Sequence, residues 1–198
     1  DGAGTLLTTE SVLVEPNRNA GVDDAVLREH LMEILGGKRL LALENGELEG
    51  DDTDGHIDTL ARFLSPETIA YVGCEDTRDD HYHPLRRMRE ELEAYRTLEG
   101  EPYKLVELPL PPAIYDEEGQ RLPATYANFL FVNGALLVPT YGVPTDEVAL
   151  ERLRQALPDR AVVGVDSRAL IYQHGSLHCA TMQFPRGFVN KNKWSDDE

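Results

Sequence analysis

Cysteine is scarce in this chain. Its 198 residues include two, Cys74 and Cys179. Two thiols cannot make the disulfide framework of a small secreted domain, so a reducing cytoplasm is the expected setting. Long apolar runs are missing too. No stretch approaches the length of a membrane-spanning helix, and no basic-then-apolar leader opens the chain, so no membrane partner is expected. The first residue is not Met. The chain begins Asp1-Gly2-Ala3-Gly4 and runs at once into Leu6-Leu7, which reads as entry into the middle of an element of a longer protein. Basic residues are in deficit: 19 Lys and Arg stand against 36 Asp and Glu, a net charge of -17. A nucleic-acid binder shows a basic face and none is visible, so nucleic acid is excluded as a partner. An acidic surface repels phosphate and attracts small cations, although solubility or a salt-adapted host explains it as well.

What is present fits a globular domain: 41% hydrophobic and 28% charged residues, in a chain long enough to bury a core. Residues 4–9 and 12–14 read as short strands, with a turn at Pro16-Asn17-Arg18-Asn19. From Asp23 the apolar positions Val26, Leu27, Leu31, Ile34 and Leu35 recur at helical spacing, with Asp23 or Asp24 as cap and Gly36-Gly37 as stop. Residues 40–43 are short enough for a buried strand, and 45–54 form an acidic, glycine-containing loop. The plan then recurs. A strand at 68–72 precedes a charged helix at 84–98, whose Leu85, Met88, Leu92 and Tyr95 share one face, and a strand at 104–108. Residues 126–132 are strand-like. A third copy runs from a strand at 134–139, through a helix capped by Thr145 or Asp146 and carrying Val148, Leu150, Leu153 and Leu157, to strands at 161–165 and 169–172.

The first and third copies also resemble each other in letters. Gly4-Thr5-Leu6-Leu7 matches Gly134-Ala135-Leu136-Leu137, and Arg39-Leu40-Leu41-Ala42-Leu43 answers Arg160-Ala161-Val162-Val163. Each copy ends in a glycine-containing loop with a histidine, His56 and His178. Repeated strand–helix–strand modules indicate a radial or stacked α/β architecture whose equivalent loops converge. The modules span 1–60, 61–132 and 133–189, with a polar tail at 190–198.

Two of these loops carry chemistry. The acidic loop fails the EF-hand pattern: with Gly55 as the turn glycine, the outer ligand positions fall on Gly50 and Ala61. His56 and Asp58 have the two-residue period of a strand, which puts both side chains on one face. Taken alone, they read first as part of a solvated acidic turn. Cys179 follows the small-residue loop Gly175-Ser176, where a nucleophile or an inert buried thiol would fit. Cys74 sits beside Glu75 and Asp76, which raise a thiol pKa, and reads as inert. His178 is not assigned as the base, because neighbours on a strand point to opposite faces.

Four ordered blocks decide between these readings. They are Gly50-Asp51-Asp52-Thr53-Asp54-Gly55-His56-Ile57-Asp58, Leu122-Pro123-Ala124-Thr125-Tyr126-Ala127-Asn128-Phe129, Asn133-Gly134-Ala135 with Val138-Pro139-Thr140-Tyr141-Gly142, and Gly175-Ser176-Leu177-His178-Cys179. Together with Asn17-Arg18-Asn19, they resemble the agmatine deiminase family, which also holds the bacterial-type peptidylarginine deiminases. The resemblance covers nearly the whole chain. It implies part of a five-bladed α/β propeller, with this chain as the C-terminal portion at a little over half the usual length. It implies Cys179 as nucleophile, His56 as general acid/base, Asp58 as the carboxylate holding guanidinium nitrogens, and Asn128 near the substrate. It also implies a covalent thiouronium on Cys179, no metal or organic cofactor, and a small cationic guanidino substrate. Agmatine leads, giving N-carbamoylputrescine and ammonia for putrescine synthesis. Peptidyl- or free arginine, and a non-catalytic guanidine-binding homologue, are the alternatives. A cysteine protease or amidase is disfavoured, since the papain-type signature is absent. A second copy, or the upstream part of the same domain, is the macromolecular partner expected. The sequence departs from the family at Gln173-His174-Gly175-Ser176, where the loop is commonly richer in glycine.

Overall fold

The structure is a computed structural model that describes residues 1–51 and 55–184. Asp52, Thr53 and Asp54 of the acidic loop, and the predicted tail at 190–198, lie outside the described residues. In chain order the elements are β1 (Thr5–Thr9), α1 (Glu10–Val14), α2 (Pro16–Asn19), α3 (Asp24–Leu35) and β2 (Arg39–Leu43). After a 3₁₀ turn at Ile57–Thr59 come β3 (Ala61–Ser65), β4 (Thr68–Gly73), α4 (Tyr82–Ala94) and β5 (Lys104–Pro109). The last group is β6 (Leu130–Val132), β7 (Ala135–Thr140), α5 (Thr145–Ala156), β8 (Ala161–Asp166) and a 3₁₀ turn at Ile171–Gln173.

The fold is α/β, with three separate sheets and no closed sheet among the described residues. Each sheet contains one parallel pair: β1 with β2, β4 with β5, and β7 with β8. Parallel neighbours cannot be joined by a hairpin, so each pair requires a crossover, and α3, α4 and α5 lie in those three connections. In the second and third sheets an extra strand, β3 or β6, pairs antiparallel at the front.

Local chemistry explains the helix limits. The Asp23 carboxylate accepts from the Ala25 and Val26 amides at 3.0 and 3.3 Å, and Gly36 closes α3 in the left-handed region at φ 66°. On α4, Leu85, Met88 and Leu92 are buried at helical spacing, while Arg86–Glu90 and Arg89–Glu93 pair on the outer face. On α5 the buried stripe is Ala149, Leu150 and Leu153; Val148, expected inside, lies off it and is exposed. Two apolar clusters result. One is centred on Tyr126, Phe129, Leu136 and Tyr141, the other on Leu60, Ile69, Val72 and Met88.

Several expectations fail for local reasons. Residues 12–14 are helical, because the Thr9 hydroxyl accepts from the Val12 amide at 3.4 Å and caps α1, burying Leu13. Pro16–Asn19 is a single helical turn. Of residues 126–132 only Leu130–Val132 is strand; Tyr126, Ala127, Asn128 and Phe129 form a fully buried loop. The predicted strand at 169–172 is the 3₁₀ turn Ile171–Gln173. Strand β3 was not anticipated.

A polar chain fixes the loop that leads into the site. Arg121 grips Asp79 through two hydrogen bonds of 2.9 and 2.8 Å. Asp79 also meets His81 Nδ1 at 2.7 Å, and His81 Nε2 accepts the Glu49 amide at 2.7 Å. Because Nε2 accepts from an amide, the ring proton sits on Nδ1 and faces Asp79. The Arg121 hydrogen bond, outweighing burial, holds the Asp79 carboxyl well below the usual carboxylate range. A carboxylate depressed on folding stabilises above its unfolded pKa, about 4, and loses that contribution as the pH falls toward the folded value. Asp79→Asn is therefore expected to cost about 2–3 kcal/mol at neutral pH, the scale of hydrogen bonds to a charged group. The gap from the parent should narrow steadily below about pH 4. Urea unfolding of both proteins at neutral and acid pH measures this; a pH-independent gap would contradict it.

Candidate active site

Four side chains from three parts of the chain meet around one carboxylate oxygen. Asp58 comes from the 3₁₀ turn Ile57–Thr59, Asn128 from the buried loop before β6, and His178 and Cys179 from the turn after Ile171–Gln173. Asp58 Oδ2 lies 2.6 Å from His178 Nδ1, 3.1 Å from Asn128 Nδ2 and 3.5 Å from Cys179 Sγ. Asn128 is fully buried, and a buried amide must find partners. Its Nδ2 donates to the Asp58 backbone carbonyl and carboxylate at 3.3 and 3.1 Å and to Cys179 Sγ at 3.2 Å. Its Oδ1 accepts the His178 and Cys179 amides at 2.8 and 3.3 Å.

The segment around Cys179 turns because the Ala180 amide bonds to Ser176 O at 3.2 Å and the Thr181 amide to His178 O at 3.0 Å. In such a turn, consecutive side chains are about 100° apart, not opposite as on a strand. His178 and Cys179 can therefore both reach Asp58, contrary to the strand geometry on which His178 was not assigned as the base. The turn is braced from below: Tyr141 Oη contacts Ser176 Oγ at 2.9 Å and Thr125 O at 2.9 Å. His174, in the segment that departs from the family, holds the left-handed conformation at φ 58°. That region favours glycine, and the His174 ring meets Gly50 O at 2.9 Å, tying the cysteine loop to the loop before His56.

His56 is placed differently. It caps the 3₁₀ turn instead of lying on a strand, and its Nε2 is 2.9 Å from Arg18 Nη2. Among the described residues no hydrogen bond joins it to Cys179, Asp58 or Asn128. Arg62, on the unanticipated strand β3, is a further component. Its Nη1 donates to Phe129 O, its guanidinium lies 4.8 Å from the Phe129 ring centroid, and its charge acts on both Asp58 and Cys179. The strand carries no plain sequence signal, because in Ala61-Arg62-Phe63-Leu64-Ser65 the apolar residues do not alternate.

The electrostatics of the pair run in opposite directions. Burial pushes the Asp58 carboxyl up, but the hydrogen bond and charge of His178, with the charge of Arg62, outweigh it and hold Asp58 below its usual value. Burial pushes the Cys179 thiol up, and the Asp58 charge adds to this. The sulfur thus lies beside an anion that opposes its own ionisation. Asp58 Oδ1, the other carboxylate oxygen, is buried and has no hydrogen-bond partner among the described residues. Cys74 is likewise pushed up, chiefly by burial, and its Sγ lies 3.6 Å from Asp76 O. Among the described residues no group of three His, Cys, Asp or Glu side chains is arranged to hold a metal ion, and no helix is long and apolar enough to cross a membrane.

Residues 1–185 match the sequence profile of the Porphyromonas-type peptidyl-arginine deiminase family. The chain belongs to that family. Solved structures similar to this deiminase-family chain include one titled a "Putative Arginine Deiminase" from Porphyromonas gingivalis, 56% identical with a TM-score of 0.93, covering 96% of this chain and 56% of that one. A substrate-bound C. jejuni agmatine deiminase is 48% identical with a TM-score of 0.83, over 89% of this chain and 51% of that one. A protein of Vibrio parahaemolyticus named "Putative agmatine deiminase" is 35% identical over 93% of this chain and 56% of its own length. The chain therefore spans about half the length of the curated relatives it matches.

Proposed function

We propose that the whole protein hydrolyses a guanidino substrate, agmatine before others, to the ureido product and ammonia. With agmatine the product is N-carbamoylputrescine, a precursor of putrescine. The observation that carries this reading is a thiol packed against a mostly buried carboxylate whose second oxygen has no partner among the described residues. A buried acceptor left unpaired costs about 1–3 kcal/mol, and a guanidinium N–H can fill it. The α/β modules and the resemblance to longer relatives support a complete five-bladed propeller as the setting, with 1–60, 61–132 and 133–189 as three of its modules.

The chemistry follows from the charges. A guanidinium stays protonated at ordinary pH. Seated on Asp58 Oδ1, it brings a positive charge to the thiol and offsets the anion that holds Cys179 protonated, so substrate binding itself favours the thiolate. His56, the general acid/base that the resemblance implies, takes the thiol proton once its Nε2 parts from Arg18 Nη2, 2.9 Å away. The sulfur adds to the central carbon. His56 passes its proton to one amino group, the C–N bond breaks and ammonia departs, leaving a thiouronium on Cys179. Water then adds to that carbon, giving a proton to His56. The C–S bond breaks as His56 returns its proton to sulfur, the hydroxyl proton of the adduct passes through solvent to ammonia to give ammonium, and the neutral ureido product leaves. Asn128 donates to sulfur throughout and holds the amides of residues 178 and 179 in place.

The test is ammonia release by the full-length protein from agmatine, free arginine and a peptidyl-arginine. Turnover of agmatine above the other two supports the proposal; turnover of none of the three overturns it. Geometry adds one sharper expectation. A Cβ at Gly175 would stand 2.9 Å from Cys179 Cβ, closer than such carbons pack, while the backbone there needs no left-handed conformation. Gly175→Ala is expected to displace the sulfur and cut kcat/KM about 100-fold, as misplacement by about 1 Å can do. Circular dichroism should match the parent, and an unchanged rate would contradict the close packing.

A further inference from the structure

His178 has no role in the chemistry above, yet it makes the shortest contact to Asp58. We propose that His178 is a positioning residue that dedicates one oxygen of Asp58 to the protein and leaves the other for the guanidinium. The proposal rests on the deiminase reading for its kinetic consequence, but not for the contact itself. His178 Nδ1 is 2.6 Å from Asp58 Oδ2, and the same oxygen takes Asn128 Nδ2 and the Cys179 thiol. Oδ1 takes none of them and is buried. A carboxylate with both oxygens free grips a guanidinium through a two-pronged fork. With Oδ2 saturated, Asp58 can offer the substrate only a single well-aimed acceptor, and the direction of that acceptor is set by the imidazole.

The position is well held. The His178 amide is fixed by Asn128 Oδ1 at 2.8 Å, and Thr181 Oγ1 donates to the His178 carbonyl at 2.7 Å. An ionised Asp58 accepts, so Nδ1 carries the ring proton, as in a histidine oriented by an aspartate. His178 also forms part of the wall of a cavity of about 710 Å³, together with Ile57, Arg62, Phe63, Leu130 and Phe131. The side chain is 34% exposed, so its removal leaves no sealed void. The groups facing this contact are Asn128, Cys179 and, through its charge, Arg62. Arg62 stays beside Asp58 in any His178 variant, and the carboxylate would remain ionised but free to rotate.

Two variants of the full-length protein separate positioning from proton transfer. In His178→Leu nothing donates to Oδ2 in place of the imidazole, and KM for agmatine is expected to rise at least tenfold while kcat falls less. His178→Asn places an amide N–H near the former Nδ1 and should restore KM to within a fewfold of the parent, with an unchanged pH–rate profile. Loss of kcat in both variants, with one limb of that profile missing, would make His178 a proton-transfer group and overturn the proposal. Unchanged kinetics in His178→Leu would overturn it equally. Nitrogen-15 NMR of labelled histidine gives a readout without turnover: a downfield Nδ1–H resonance, additional to that of His81 and missing from His178→Leu, is expected in the parent and should move upfield in Asp58→Asn, whose amide oxygen accepts more weakly. Its absence from the parent disproves the contact, whereas its presence in a protein that releases no ammonia would count against the deiminase reading alone.

Discussion

Cys179→Ala is expected to abolish ammonia release, lowering kcat by about 10⁴-fold or more, as removal of a covalent nucleophile does. The fold should survive. Cys179 is exposed as a residue although its thiol is partly desolvated, and without its sulfur His178 and Asn128 still hold Asp58. Thermal unfolding should therefore move little. Cys74→Ser is the matched control. That thiol is pushed up by burial and lies next to acidic residues at the end of β4, apart from the Asp58 cluster, so its removal should leave the rate near the parent value. Comparable activity in the two variants would mean that the nucleophile is not a cysteine.

The second large effect belongs to Asp58. Asp58→Asn keeps the shape and can still accept from His178, but it removes the charge that faces the guanidinium. Truncating one partner of a buried ionic contact costs about 2–5 kcal/mol, and kcat/KM should fall about 10²–10³-fold. An opposite change is expected in the protein without substrate. The Asp58 charge raises the Cys179 pKa, so its loss should lower that pKa and make the thiol easier to alkylate. Iodoacetamide modification followed against pH reads this directly: its midpoint should move to lower pH while turnover drops. A midpoint that rises, or activity that rises with reactivity, would show that the carboxylate does not act on the sulfur in this way.

Which parts of this were visible in the chain itself depended on how local each signal was. The limits of α3 were legible because an aspartate cap and a left-handed glycine are local devices. The buried face of α4 was legible because its period is plain. By contrast, the apolar residues of β3 do not alternate and α1 starts on a threonine cap within a β-branched run, so pattern alone points elsewhere. At the candidate site, Cys179, Asp58 and Asn128 are named from their sequence blocks, and the structure brings their side chains into contact. The structure gives Asn128 the central position, because only tertiary packing shows an amide bonded to both the acid and the sulfur. His178 was set aside by a strand rule applied to residues that form a turn. His56 was expected on a strand beside Asp58 and instead caps a 3₁₀ turn against Arg18. Arg62 carried no sequence signal at all: an isolated arginine becomes part of a site only when the loop containing Phe129 folds over it.

The central claim is that the sulfur of Cys179 bonds to the guanidino carbon. The most direct measurement is an intact-protein mass spectrum of the full-length protein quenched in acid within one turnover of mixing with agmatine, followed by peptide mapping. The account predicts an added mass equal to the substrate less ammonia, carried by the peptide containing Cys179 and absent from Cys179→Ala. Ammonia release with no adduct at any quench time, or an adduct on the Cys74 peptide, would contradict it.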